Sequence, residues 1–166
     1  MSNKKKFDKN TVPQDFTLSL VAVDSLPVIF FSASIIRLCK LYGSILFLIG
    51  ALLVITAGAC KVLWKLIVVL RKKNIWPLFI QMRILTPIGF VLMIISLFIN
   101  KVDITQIINA FTSIPSLIFF IIGILGMCLM GVFGKKLDSS NLKANWIEQL
   151  TNAIAQLSIL IGLLLL

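Results

Sequence analysis

The stretch SILFLIGALLVITAGACKVLWKLIVVL, residues 44–70, decides the fold. Its first seventeen residues carry no charge. The apolar pattern then runs past Lys61 and Lys65 to the basic stop Arg71-Lys72-Lys73. Twenty-seven residues make roughly 40 Å of helix at about 1.5 Å each, enough to cross a hydrocarbon core of about 30 Å with tilt. Helix is forced there, because lipid offers no partner to a backbone N–H or C=O.

Composition extends this reading to the whole chain. Of 166 residues, 59% are hydrophobic and 13% charged, with a mean hydropathy of +1.06. A soluble domain has about 45–50% apolar and about 25% charged residues. A soluble protein of this size could not hide so much apolar surface, whereas lipid accepts it. The expected fold is all-α: a polytopic transmembrane helical bundle of about five spans. Residues 1–15 form a basic head with Lys4, Lys5, Lys6 and Lys9, expected to be mobile and not a cleaved signal. Residues 16–166 form one membrane domain.

The other spans are read outward from the central one. The first, 24–42, has two readings. A helix could start near Phe16 and bury Asp24. Alternatively Asp24 caps a helix start at Asp24-Ser25-Leu26-Pro27, with Pro27 in the first turn, where its missing N–H matters least. The second is preferred, with residues 16–23 along the interface. Residues 74–83 read as a linker holding Trp76. The third span, 84–100, has the start signal Thr86-Pro87. Residues 102–112 place Ile104, Ile107, Ile108 and Phe111 on one face, the pattern of an interfacial helix. The fourth span, 114–134, starts at Ser113-Ile114-Pro115 and closes at Lys135 and Lys136. The fifth, 141–166, follows Asp138-Ser139-Ser140.

Basic residues set the orientation. With the N-terminus inside, eleven lie on the inner side: Lys4, Lys5, Lys6, Lys9, Arg71, Lys72, Lys73, Arg83, Lys135, Lys136 and Lys143. Arg37, Lys40 and Lys101 lie outside. The expected location is a bacterial-type inner (plasma) membrane, with a cytoplasmic N-terminus. The net charge of +10 then meets lipid head groups, and no nucleic-acid partner is expected.

Catalytic chemistry has little to work with. There is no histidine, and Cys39, Cys60 and Cys128 form no C-x-x-C pair. No cofactor, metal ligand set or enzymatic activity is expected. The Ser140-Asn141-Leu142-Lys143 match to S-x-x-K lacks its partner motifs and reads as a helix cap. Gly43, Gly50 and Ala57, then Gly123, Gly126, Gly131 and Gly134, mark helix seams.

One polar constellation stands out. Glu148, Gln149, Asn152 and Gln156, with Asn145, share one face of the fifth helix. Lys61 and Lys65 near the inner end of the second helix, and Asp24 of the first, lie at a depth similar to that of Glu148. Polar groups in a membrane tend to face the bundle interior or water. Asp24, Lys61, Lys65, Glu148, Gln149, Asn152 and Gln156 are therefore the candidate ligand-binding set, with Glu148 expected beside Lys61 or Lys65 and Asp24 competing for the same lysines. The bland reading is that the lysines snorkel and the carboxylates border helix starts. Two functions remain: an accessory or interaction component with a membrane-protein partner or a second copy, and a small transporter or channel-like protein with a cytoplasm-facing polar cavity. Membrane lipid is a partner in both.

Overall fold

The computed structural model describes residues 16–42, 44–100, 104–137 and 142–166. The expectations for residues 1–15, Gly43 and the Ser140 cap lie outside these residues. Seven helices follow in order: α1 (Leu18–Tyr42), α2 (Ile45–Arg71), α3 (Trp76–Ile80), α4 (Met82–Ile99), α5 (Ile104–Thr112), α6 (Ser116–Lys136) and α7 (Leu142–Leu164). The described residues contain no strand. Five helical stretches are long and apolar enough to cross a membrane, with α3 and α4 counted together. The chain is a helical membrane protein.

Local chemistry sets the helix ends. Ser44 caps α2, its hydroxyl accepting from the Phe47 N–H at 3.2 Å and meeting the Ser96 hydroxyl of α4 at 2.6 Å. At the far end Lys72 takes the left-handed conformation (φ 49°), and its N–H bonds the Val68 carbonyl.

Three sequence expectations are corrected here. Helix α1 begins at Leu18, ahead of Asp24. The Thr17 hydroxyl accepts from the Leu20 N–H, so Thr17 does the capping. Asp24 and Pro27 are inside the helix, and Asp24 is 3% exposed. The proline start signal misled because a helix in lipid tolerates an internal proline where neighbours support it. The same holds for Thr86 and Pro87, which lie inside α4. Third, the segment read as a linker is largely helical. Pro77 opens α3, and the Gln81 N–H bonds the Pro77 carbonyl before α4 continues.

Packing places the helices in the order α4, α2, α1, α7, α6. The α2–α4 seam is a backbone approach. A Cβ on Gly50 would sit 2.5 Å from the Gly89 carbonyl oxygen, and one on Gly89 equally close to that of Gly50. At the α6–α7 seam, Gly126 faces Ala155 and Gly123 faces Ile159. Leu97 packs on a cluster formed by Ile35, Phe47, Ala51, Val54 and Met93. A second cluster, Phe16, Leu20, Trp64 and Val68, holds the other end of the α1–α2 pair.

The burial pattern is that of a protein in lipid. Ile45, Phe98 and Ile114 are largely exposed apolar side chains, while Asp24, Lys65, Asn145, Gln149 and Gln156 are buried. Helix order and cavity position show that the row of helices curls. Residues of α1, α2, α4, α6 and α7 all line one central cavity, yet α4 and α6, the two ends of the row, make little contact with each other among the described residues.

Candidate functional site

The site begins with helix periodicity. Lys61 and Lys65 are one turn apart on α2 and so project from one face. Asp24 and Val28 are likewise one turn apart on α1. Gly58 leaves room for Val28, whose side chain would lie 3.1 Å from a Cβ at that position. This close approach brings the next turn of α1 against the lysines. Asp24 Oδ2 lies 3.1 Å from Lys65 Nζ, and Asp24 Oδ1 lies 3.7 Å from Lys61 Nζ. Asp24 and Lys65 are both 3% exposed. Lys61 is half-buried. The result is an ion triad in the interior of the bundle.

Two cavities meet at Lys61. The central one, of about 210 Å³, is lined by Asp24, Lys61, Thr86, Asn152 and Gln156, and by Val28, Phe31, Val54, Phe90 and Met127 among the apolar groups. The Gln156 amide donates to Met127 Sδ at 3.4 Å. The second cavity, of about 200 Å³, is lined by Lys61, Lys65, Arg83, Asn145, Glu148 and Gln149 over Phe16, Trp64 and Phe79. Its aromatic floor is continuous. Phe16 meets Trp64 edge-on at 5.9 Å, and Trp64 meets Phe79 at 4.8 Å. Lys65 Nζ stands 5.4 Å from the centre of the Phe16 ring, and the Arg83 guanidinium 5.4 Å from that of Phe79, distances at which a cation is attracted to the ring face.

A third cavity, almost wholly apolar, lies on the far side of Phe90, among Leu38, Phe47, Met93, Leu97 and Phe111. Phe90 also borders the central cavity and meets Phe31 edge-on at 6.0 Å. The interior is therefore graded along α2. It is basic beside Lys65, mixed beside Gly58 and apolar beside Phe47.

Each of the seven sequence candidates lines one of the two polar cavities. Asp24, Asn152 and Gln156 line the central one, Lys65, Glu148 and Gln149 the basic one, and Lys61 both. The ion pairs to the lysines are those of Asp24, the competitor expected, and Glu148 lines the same basic cavity as both lysines. The packing of Val28 on Gly58 sets the rotation of α1 that turns Asp24 toward α2. Four site residues escaped the sequence reading. Arg83 counted only as a loop charge, Thr86 as a cap, and Phe16 and Phe79 as generic apolar groups. The four-residue step from Phe79 to Arg83 was the available signal.

The described residues hold no cluster of three or more metal-ligating side chains of the His, Cys, Asp or Glu type. Comparison of the chain with protein-family models, with curated proteins and with solved structures finds no match.

Proposed function

We propose that this membrane protein is a small non-enzymatic solute-handling component, of transporter or channel-like type, whose polar cavity opens toward the cytoplasm. The observation that carries the reading is the Asp24–Lys61–Lys65 triad at the junction of a mixed central cavity and a basic one. Burying the Asp24 carboxylate and the Lys65 ammonium, with Lys61 half-buried beside them, is expensive, and well-packed apolar residues would stabilise a merely structural core as well or better. Ionisable groups kept inside a membrane bundle are by default candidates for a solute or ion path. The excess of basic residues at the N-terminal head, at the end of α2 and at Arg83 supports placing the basic cavity on the cytoplasmic side.

An accessory or interaction component is the second reading. Of the small-residue seams, Gly50, Gly89, Gly123 and Gly126 pack within the chain, while Gly131 meets nothing within 4 Å.

Water access tests the proposal. With Cys39, Cys60 and Cys128 replaced by serine, single cysteines at Glu148, Asn152 and Gln156 should react with a charged, membrane-impermeant thiol reagent. Labelling should occur from the cytoplasmic face, in the order 148, 152, 156 of decreasing rate. A cysteine at Ile154, exposed on the outer side of α7, should stay unreactive. Protection of all three cavity positions from both faces would overturn the reading.

A further inference from the structure

The solute class follows from the grading of the interior. Resting on the solute-handling reading, we infer that the ligand is an anionic membrane amphiphile. Its phosphate or carboxylate head sits in the basic cavity, and its apolar chain lies in the central cavity between α4 and α6.

The head-group site is built from charge and donors. Lys61, Lys65 and Arg83 face Asp24 and Glu148, which leaves a surplus positive charge around a cavity closed below by aromatic rings. Arg83 is exposed at the rim, stands over Phe79, and makes no ion pair among the described residues. Its planar donors suit a phosphate or carboxylate. Gln149, 3% exposed, lines the same cavity, and among the described residues its amide oxygen has no hydrogen-bond partner. Turned about its last bond, that amide presents donors to an anion instead. A surplus charge in a low-dielectric interior is costly, and a bound anion offsets it.

The chain site is built from shape. Beyond Lys61 the central cavity is walled by Val54, Phe31, Phe90 and Met127, and the almost wholly apolar third cavity follows behind Phe90. From Lys61 to Val54, the α2 residues that bound the central cavity, the helix rises about 10 Å, room for the head-proximal part of a hydrocarbon chain. Because α4 and α6 barely touch, such a chain can enter sideways from lipid without crossing water. A free phosphate ion would use the first half of this arrangement and leave the second without a role.

The test uses the full chain, delipidated in an uncharged mild detergent, with three probes: lysophosphatidate, lysophosphatidylcholine of the same chain length, and inorganic phosphate. Lysophosphatidate alone should raise the melting temperature in a saturable way. Arg83→Gln and Lys61→Gln should each weaken its apparent affinity about ten-fold, the loss expected for a charge-assisted hydrogen bond. Met127→Trp, which narrows the central cavity, should weaken it several-fold. Both lysine and arginine variants leave the buried Asp24–Lys65 pair in place, so folding without ligand serves as the control. Equal stabilisation by the choline head group would remove the head-group site. Equal stabilisation by inorganic phosphate would remove the chain site. No saturable shift with any probe would overturn the inference, while thiol labelling at Asn152 would still stand for the broader solute reading.

Discussion

Asp24→Asn is the substitution that probes the interior of this protein most sharply. At 3.1 Å and an effective dielectric of about 20, the Asp24–Lys65 attraction is about 5 kcal/mol before desolvation is counted. Desolvation opposes it, so the net worth of the pair is far smaller. Removing the carboxylate alone leaves two lysines one turn apart, one of them 3% exposed, with no carboxylate between them. The loss should be on the order of 3–5 kcal/mol. Lys65→Met should cost less, because Lys61 still faces Asp24. Lys61→Met should cost about 1 kcal/mol or less, since its side chain is 27% exposed and its contact is 3.7 Å. The double variant Asp24→Asn/Lys65→Met should recover much of the loss. Unfolding curves in mild detergent, analysed as a double-mutant cycle, should give a coupling of about 2–3 kcal/mol for Asp24 with Lys65 and less for Glu148 with Lys65. Strictly additive losses for Asp24 and Lys65, or a larger penalty for Lys61→Met than for Lys65→Met, would refute the triad as an energetic unit.

Two further outcomes are open to direct measurement. Gly50→Ala places a methyl 2.5 Å from the Gly89 carbonyl and 2.9 Å from Met93 Cγ, so it should destabilise by about 1–3 kcal/mol or more through overpacking. Gly131→Ala meets nothing within 4 Å and should be neutral or gain up to about 1 kcal/mol of helix propensity; equal melting temperatures for the two variants would remove the close α2–α4 seam. Reporter fusions after Lys72, Asp103, Lys136 and Leu166 should read inside, outside, inside and outside. A cytoplasmic C-terminus would contradict both the span count and the placement of the basic cavity.

The class of this protein was legible from residues alone. Residues 44–70 are too long, too apolar and too cleanly bounded by Arg71-Lys72-Lys73 to be other than a span, and lipid leaves only helix for such a segment. The polar face of α7 and the Lys61–Lys65 step were also readable, because helical period converts spacing into a shared face. Helix starts were harder. Asp24-Ser25-Leu26-Pro27 and Thr86-Pro87 carry sound local start signals, yet both lie inside helices, because burial and neighbouring helices override a local preference. Only the tertiary structure decided which charges meet. Sequence gives depth along a helix but not rotation about it, and rotation is set by packing at Gly58 against Val28 and at Gly50 against Gly89. Those contacts turn Asp24 toward α2 and bring Arg83 and Phe79 from a supposed linker into the basic cavity that Glu148 also lines.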